Sequence, residues 1–314
     1  MSTTRSRPDA DERRALAERQ LEAELQRLVE SGEYAAWFAK LASFHRYSPN
    51  NTLWILAQRP EATRVASYRT WQQLGRQVRR GESGILVLHP KPYWVDTTGQ
   101  RVPPPTSAAD QPGRIRKVSF GIGHVFDLAQ TDGDPIELGR PAPEVAPREL
   151  ADHLEGYCRE NGITVETRTP TRGLGGYYQR DGDRIVLAAG SSEGERVATL
   201  AHELAHREDP ELIKADGASD RGYYAHNRAD CEAVAEATAH TISARFGHDI
   251  SGHSAGYIAG WIRGDVDRFR LLHERVGLVA RQLLPPDRLD LALTAAHTQI
   301  TIDAAERADQ SRRR

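Results

Sequence analysis

The sequence predicts an α+β protein of two domains, a mixed α/β domain followed by a mostly helical domain with a small sheet. Apolar residues recur at helical spacing near the start of the chain and again through much of its second half. Two runs rich in β-branched and aromatic residues, "GILVLHPKPYWV" and "KVSFGIGHVFDLAQT", are typical of strands. The proline-rich stretch 135–147 has the composition of a linker and places the domain boundary near residue 140.

The first domain, residues 13–140, is expected to begin with helices and to continue into strands. Residues 1–12 are expected to be disordered, and an apolar face at helical spacing then runs to about Phe44, with a break at "SGE". "YSPNNTLWILAQRP" predicts a turn and then a buried helix that ends before Pro60. A short helix in "ASYRTWQQLG" and the two strand runs follow, with a loop or insertion over the Pro-, Gly- and Ser-rich residues 97–115.

The second domain, residues 141–300, carries the stronger helix signals. A helix over residues 148–161 is followed by the strand "ITVETR" and by a hairpin in "GGYYQRDGDRIVLAAG", with Asp-Gly at its turn. Ser192 and Glu195 have the spacing of a capping box, which predicts that a helix begins there. The remaining expectations are helices over 227–247 and about 254–284, and a disordered tail over 301–314.

The composition is that of a soluble globular protein. Hydrophobic residues make up 39% and charged residues 27% of the 314 residues, and the formal net charge is −2. No apolar run approaches the roughly 18 to 20 residues that span a membrane, and "MSTTRSRPDADERR" lacks the apolar segment of a signal peptide. Because Cys158 and Cys231 form neither a CxxC motif nor a disulfide framework, we expect a reducing, cytoplasmic setting without a membrane partner.

Basic residues are concentrated between residues 59 and 91. Seven Lys or Arg residues stand there against two Glu residues. A local excess of this kind favours an anionic partner. The alternative is an ordinary solvated surface, and charge alone does not separate the two.

The stretch "TLAHELAHRE", residues 199–208, contains the spacing H-E-x-x-H. Residues four apart lie on one face of a helix, so His202 and His206 can present two imidazoles to one metal ion. Glu203 lies beside the first histidine, where it can take a proton from a zinc-bound water, whose pKa the ion lowers to about 7. The sequence therefore predicts a Zn²⁺ site with a catalytic base. The alternative is a helix face that carries two histidines by accident.

A third ligand is expected from the next helix, because "REDPEL" excludes the histidine of the extended metzincin motif. In "CEAVAEATAH", Glu232 and Glu236 are one helical turn apart, with His240 one turn further on the same face. We expect Glu232 to bind zinc and Glu236 to accept the N–H of a ligand histidine. His240 is expected to be structural or to support the ligands. The alternative is an amphipathic helix with an acidic, solvated face.

This combination resembles the gluzincin metallopeptidases, in which HExxH is followed by a ligand glutamate and by an acidic residue four positions later. The 25 residues between His206 and Glu232 include "DGASDRGYYAHN", and a loop of this length is often functional. The resemblance implies that a tyrosine, Tyr224 or its neighbour Tyr223, stabilises an oxyanion over the zinc. The alternative is a packed tyrosine.

A second resemblance covers the first half of the chain. "SPNNTLWILAQRPEATRVASYRTWQQLGRQVRRGESGILVLHP" is similar to the N-terminal single-stranded-DNA-binding domain of the ArdC-type antirestriction proteins. The matching features are Asn51 before the apolar run, "ASYRTWQQLG", "VRRGESG" and the strand after it. That family pairs the domain with a C-terminal zinc metallopeptidase-like domain, and "HELAH" followed by "EAVAE" fits its pattern. The resemblance covers most of residues 30–245 and implies a zincin-like second domain.

The first domain contains residue types that suit single-stranded DNA. Single strands bind to basic grooves lined with aromatic side chains on which bases stack. Tyr68, Trp71, Tyr93 and Trp94 are possible stacking platforms, with Trp71 as the selected candidate, although both tryptophans can equally belong to the core. The charged candidates for DNA contact are Arg64, Arg69, Arg76, Arg79, Arg80 and Lys91.

The predicted function is that of an ArdC-like antirestriction protein of a mobile genetic element. It would bind single-stranded DNA, with duplex DNA as a further ligand, and carry a metallopeptidase-type site acting on a protein substrate or restriction enzyme. One alternative is a DNA-binding protein that holds zinc for structure only and blocks restriction by occupying DNA. The other alternative is a regulatory protease of the ImmA/IrrE type, which cuts one specific repressor.

Overall fold

The fold was analysed in a computed structural model. The structure describes residues 10–44, 46–105, 113–134, 147–169, 175–217, 222–248 and 250–285. The protein has an α+β fold, as the sequence predicts. The first helix begins at Ala10, inside the segment 1–12 that the sequence predicts to be disordered. The tail predicted over 301–314 and most of the proline-rich stretch around residue 140 lie outside the described residues.

Among the described residues, the first half contains four α-helices and two antiparallel sheets. The helices are α1 (Ala10–Ser31), α2 (Tyr34–Leu41), α3 (Pro49–Gln58) and α4 (Tyr68–Gln73). A four-stranded sheet has the order β1-β5-β3-β4, with β1 Val65–Ala66, β3 Ile85–Val95, β4 Arg101–Val102 and β5 Ile115–Asp127. A two-stranded sheet pairs β2 (Arg76–Val78) with β6 (Thr131–Gly133).

Helix α3 is fixed to the sheet by two side-chain amides. Ser48 caps its first turn and Pro49 occupies the first helical position, as the "YSPNN" turn predicts. Asn51 accepts a hydrogen bond from the backbone N–H of Leu88 and donates one to its carbonyl, both at 2.8 Å. Gln58 makes the same pair of bonds to Leu86, both at 2.9 Å. The two amides therefore satisfy the outward-facing N–H and C=O groups of Leu86 and Leu88 on β3, as a neighbouring strand would.

The second half contains a three-stranded sheet and seven helices among the described residues. In the sheet, β7 (Thr164–Arg168) runs parallel to β9 (Arg184–Ala188), and β8 (Gly176–Gln179) pairs with β9 antiparallel and forms one edge among the described residues. The helices are α5 (Pro147–Glu160), α6 (Glu193–Glu208), α7 (Pro210–Gly217), α8 (Tyr223–His226), α9 (Arg228–Arg245), α10 (Ser251–Ile262) and α11 (Val266–Leu283). In the described part of the chain, no helix is both long and apolar enough to cross a membrane.

One hydrophobic core joins the two halves. Apolar residues of α1, α2 and α3 pack in the same cluster as those of α6, α9 and α11. Trp37 on α2 meets Phe269 on α11 edge to face, with ring centroids 5.6 Å apart. His240 on α9 lies 3.0 Å, through Nε2, from the carbonyl of Ala35 on α2, which gives this histidine a structural role. The division near residue 140 stays a prediction, since these helices pack across it.

A second, smaller core lies under β5. It consists of Ala66, Trp71 and Val78, with partly buried neighbours that include Phe126. Trp71 is fully buried, and its Nε1–H donates to the carbonyl of Phe126 at 2.8 Å. Its ring faces cannot stack on a nucleic-acid base, so Trp71 is removed from the candidate DNA contacts. The prediction was wrong at this residue because an isolated tryptophan in a basic segment carries no signal that separates a core from a surface position.

Candidate metal centre

Helix α6 begins and packs as its sequence predicts. Ser192 and Glu195 form a complete capping box, which satisfies orphan N–H groups of the first turn. An apolar stripe is buried against the core, and it consists of Val197, Leu200, Ala201, Leu204 and Ala205. Because that stripe fixes the rotation of the helix, the H-E-x-x-H residues are turned toward α9 and the edge strand β8. The cap and the stripe together set the position of the candidate centre.

Three side chains converge between α6 and α9. His202 Nε2 and His206 Nε2 are 3.1 Å apart, and a carboxylate oxygen of Glu232 is 3.3 Å from the first nitrogen and 3.7 Å from the second. A tetrahedral site with metal–ligand bonds of about 2.1 Å has ligand atoms about 3.4 Å apart. The three separations bracket that value. The donor set of two imidazoles and one carboxylate therefore fits a divalent ion.

Glu236 supports the first histidine from the next turn of α9. Its carboxylate is 3.3 Å from Nδ1 of His202, while Nε2 of the same ring faces Glu232. A carboxylate on the far nitrogen fixes the tautomer in which Nε2 carries the free lone pair. The geometry agrees with the role that the sequence predicts for Glu236. Nδ1 of His206, by contrast, is buried without a hydrogen-bond partner among the described residues.

The electrostatics of the cluster favour a positive charge at its centre. Burial lowers the pKa of His202, but Glu232 and Glu236 outweigh it and raise that pKa to about 10. His202 and His206 in turn hold the pKa of Glu232 far below its ordinary range. A divalent cation between these groups supplies the same charge complementarity as protons on the imidazoles. The charge pattern thus agrees with the donor geometry.

Glu203 is buried beside the ligands. Only 7% of the residue is exposed, and burial raises the pKa of its carboxyl group. The neighbouring His202 and His206 and a backbone hydrogen bond from Tyr178 act in the opposite direction. A carboxyl group whose pKa is raised toward neutrality is a better proton acceptor for general-base work. Its environment is therefore consistent with the role of base.

Tyr224 contacts two of the candidate ligands. Its hydroxyl donates to a carboxylate oxygen of Glu232 at 2.5 Å, and its ring meets His206 edge to face at 5.7 Å between centroids. Burial and Glu232 raise the pKa of this phenol, so it stays a donor. The charged neighbours of Tyr223 include Arg275, Glu211 and Asp209, and none of them is a candidate ligand. Of the two tyrosines, Tyr224 is the one whose contacts with the candidate ligands are direct.

A cleft runs past the centre on both sides. One cavity of about 520 Å³ includes Thr199 and Glu236 in its wall, and another of about 610 Å³ includes Tyr224. The two cavities share Gly176, His202 and Glu203. The edge strand β8 therefore forms one wall of the cleft and α6 forms its floor. Clefts of this size are typical of sites for small molecules or extended peptides.

Comparison with known proteins finds a similarity in the first half. Residues 17–125 match the family model described as the N-terminal domain of anti-restriction factor ArdC. This match covers 109 of the 314 residues, so the similarity concerns the first half of the chain. The crystal structure of the antirestriction ArdC protein from the R388 plasmid in its metal-free form is 23% identical, over 81% of this chain and 86% of that one, with a TM-score of 0.44. The Mn(II)-bound form gives 22% identity and a TM-score of 0.41.

Curated relatives match this chain over only part of their own length. An uncharacterized protein of Bacillus anthracis is 25% identical over 266 residues, covering 72% of this chain and 42% of the relative. An uncharacterized protein of Sinorhizobium fredii is 28% identical over 210 residues, covering 62% of each. The DNA primase TraC of Escherichia coli is 26% identical over 239 residues, covering 69% of this chain and 15% of the primase. The chain thus spans less than two thirds of the length of these relatives.

The basic residues that the sequence selects as candidate DNA contacts fall into two groups. Arg76 bonds Thr131 and the backbone carbonyls of Gly133 and Asp134, so it joins β2 to β6. Arg79 pairs with Glu82 at 2.8 Å, and Arg64 donates to the carbonyls of residues 43 and 63. The side chains with more freedom to meet a ligand are the exposed Arg69, Arg80 and Lys91.

Two features of the structure could not be predicted from the sequence. Asp209, directly after α6, forms a buried ion pair with Arg275 on α11. Phe120 on β5 is 63% exposed, the largest exposed fraction among the large hydrophobic side chains of the described residues. The ion pair joins residues that are 66 positions apart, and no local sequence pattern indicates such a contact. The exposure of Phe120 could not be predicted because it belongs to the strand-like run "KVSF", in which an apolar residue normally indicates a buried face.

Proposed function

We propose that the chain is an ArdC-like antirestriction protein whose His202–His206–Glu232 centre holds a divalent metal ion and hydrolyses peptide bonds. The observation that carries the proposal is the convergence of these three ligand atoms within 4.8 Å of one another, beside a buried carboxyl group. Two imidazoles and a carboxylate form an open ligand set typical of catalytic zinc sites. We therefore propose Zn²⁺ as the ion.

The bound ion would supply a Lewis acid that polarises a carbonyl group and acidifies water. The chain's own groups would move the protons. Glu203 accepts a proton from the attacking water and delivers it to the departing amine, a task for which its raised pKa is suited. Glu236 holds the ring of His202 in the ligating tautomer. Tyr224 orients Glu232 and is the candidate donor to the oxyanion.

The edge strand β8 supports an extended peptide as substrate. Among the described residues β8 pairs with β9 on one side only, and it borders the cleft beside Glu203. Unpaired backbone groups of an edge strand bind a further strand by main-chain hydrogen bonds. A peptide aligned with β8 would pass directly over the candidate centre.

The test compares Glu203→Gln with wild type after metal loading. Both proteins should bind about one ion per chain, whereas peptide-bond hydrolysis of an unfolded protein mixture should fall at least ~100-fold in the variant. Glu193→Gln, an exposed glutamate of the same helix, is the matched control and should retain activity. Loss of metal from Glu203→Gln, or equal hydrolysis by the two proteins, contradicts the proposed base.

DNA binding by the first half is the second proposed function. The match of residues 17–125 to the ArdC N-terminal domain and the similarity to a DNA primase support it. The basic excess around Arg69 and Arg80 agrees with this role. Fluorescence anisotropy with labelled single-stranded and duplex oligonucleotides, over a range of salt concentrations, measures it. Binding of neither probe contradicts it, and antirestriction that survives Glu203→Gln favours blocking of DNA over proteolysis.

A further inference from the structure

Strands β3 and β5 form a long two-stranded ribbon. Eleven residue pairs are in register, from Ile85 opposite Val125 to Val95 opposite Ile115. Residues directly opposite in an antiparallel pair share a face, and successive residues alternate between faces. At the base of the ribbon, Leu86 is buried in the main core and Leu88 packs against it. Further along, the same face leaves the core and is exposed.

The exposed part of this face is apolar and aromatic. Phe120 lies opposite Pro90 and Val118 lies opposite Pro92. Phe120 is 63% and Val118 is 46% exposed. The next pair on the face is half-buried Trp94 opposite exposed Arg116. Along β5 the side chains of this face follow one another at about 6.8 Å. The face therefore forms an apolar platform, and the cation Arg116 lies at its end.

The charge of the ribbon favours an anionic ligand. Residues 86–105 and 113–126 contain five basic residues and one acidic residue, Asp96. No ion pair with a described residue is recorded for the basic set, which consists of Lys91, Arg101, Arg114, Arg116 and Lys117. At the end of the ribbon a depression of about 400 Å³ is lined by Trp94, Arg101 and Arg116, with Arg101 stacked 4.5 Å over the ring of Tyr93.

The outer edge of β3 is unsuited to pairing with a strand from another protein. Asn51 and Gln58 bond the backbone of Leu88 and Leu86, which shows that even-numbered residues of β3 turn their N–H groups outward. Pro90 and Pro92 continue that series and lack the N–H group. Strand addition along this edge would therefore lose two donors. Along this segment the exposed side chains, rather than backbone N–H groups, are left to bind a ligand.

We propose that this surface, the ribbon face formed by Phe120, Val118, Trp94 and Arg116, is where bases of single-stranded nucleic acid stack. Aromatic platforms among unpaired cations bind single strands with little sequence preference, because every base has a π-face and every nucleotide a phosphate. The inference rests on the proposed DNA-binding function and locates the binding site on the ribbon. It puts the main stacking contact on Phe120, beyond the arginine-rich segment 59–91.

The experiment uses the full chain and a fluorescein-labelled oligo(dT) of about 20 nucleotides. Phe120→Ala should weaken binding roughly tenfold, because one base-stacking contact is lost. Leu271→Ala, at an exposed apolar residue of α11, is the matched control and should bind as wild type does. Phe120→Leu keeps an apolar side chain but removes the ring, so it should also lose affinity. An unchanged thermal midpoint of this variant would show that the loss does not come from a folding defect.

Trp94 supplies a local readout. The other four tryptophans are buried, at 8% exposure or less, so acrylamide quenching of the protein reports mainly on Trp94. Saturating oligo(dT) should protect it, and Trp94→Phe should abolish the protected signal. Arg116→Gln should reduce the magnitude of the negative slope of log affinity against log salt concentration by about 0.7, because one phosphate contact is lost.

The outcomes separate the two proposals. If wild type binds oligo(dT) while the Phe120 variants bind equally well and Trp94 stays accessible, the ribbon face is not the site and DNA binding itself stands. If wild type binds neither oligo(dT) nor duplex, the proposed DNA-binding function fails and the ribbon face with it. Protection of Trp94 by a protein partner, with no effect of oligo(dT), also overturns the assignment.

Discussion

The indole N–H of Trp37 donates to Nδ1 of His273 at 3.1 Å, across 236 residues of sequence. The other ring nitrogen of His273 lies 3.0 Å from the carbonyl of Pro49. Because Nδ1 accepts, Nε2 must carry the proton and donate to that carbonyl, which defines a neutral tautomer. One imidazole on α11 thus satisfies two polar groups of the first half at the bottom of the shared core.

The first prediction concerns acid stability. Burial lowers the pKa of His273 to about 4, against about 6.5 in the unfolded chain. Above pH 6.5 both states are neutral and no stability is lost. Between about pH 6.5 and 4 only the unfolded state takes up the proton, so the free energy of unfolding falls, by up to about 3 kcal/mol. Urea unfolding at a series of pH values measures this loss.

His273→Gln tests the assignment of that loss to one group. The variant is less stable at neutral pH, but its free energy of unfolding should decline less steeply between pH 6.5 and 4 than that of wild type. His89→Gln, at an exposed histidine, should keep the wild-type slope. Parallel curves for wild type and His273→Gln would mean that other groups cause the acid loss.

The second prediction concerns metal stoichiometry. His202→Ala and Glu232→Gln should each lose the bound divalent ion, which wild type should hold at about one per chain, because three donors are needed to retain it. His226→Ala, an exposed histidine on α8, should bind metal normally. Elemental analysis after dialysis against Zn²⁺ measures this. A chelator should also lower the thermal midpoint of wild type, since an ion at 100 times its Kd contributes about 2.7 kcal/mol.

The third prediction concerns Glu236. Glu236→Gln removes the carboxylate that faces Nδ1 of His202 while keeping the side-chain shape. Metal affinity should fall roughly 10- to 100-fold, without a change in stoichiometry at saturation. Competition with a chelating dye measures the affinity, and Glu193→Gln is the control. An unchanged affinity would show that Glu236 has no part in orienting the ligand.

Local patterns explain which parts of the centre were predictable from sequence. H-E-x-x-H, the capping box and the i, i+4 spacing of Glu232 and Glu236 are short-range signals, because one helical turn determines which side chains meet. Convergence of α6 with α9 could be expected only from the chemistry of zinc ligands. The structure brings His202 and Glu232 together as expected.

Long-range packing explains what the sequence did not predict. Nothing near Trp71 distinguishes a core tryptophan from a stacking platform, since burial depends on β5, which follows more than 40 residues later. The bond between Trp37 and His273 joins residues at opposite ends of the described chain. Phe120 follows the alternation of a strand, but the alternation does not say that the ribbon leaves the core at this point.

The fourth prediction concerns the buried pair of Asp209 and Arg275. The side chains are 0% and 5% exposed, and the carboxylate also accepts the N–H of Glu211 at the start of α7. Arg275 further contacts the sulfur of Cys231, the residue before the candidate ligand Glu232. One guanidinium thus joins the end of α6 to the start of α9, the two helices that carry the candidate ligands.

Arg275→Met should lower the free energy of unfolding by about 3–5 kcal/mol, because it leaves a buried carboxylate without its counter-charge. Asp209→Asn in the same chain should restore part of that loss, since the amide carries no charge and still accepts the N–H of Glu211. Urea unfolding of both single variants and the double variant gives the coupling energy. Additive losses would mean that the pair is not coupled. If the double variant regains stability but still binds metal more weakly than wild type, Arg275 also holds the two helices at the spacing that the ligands need.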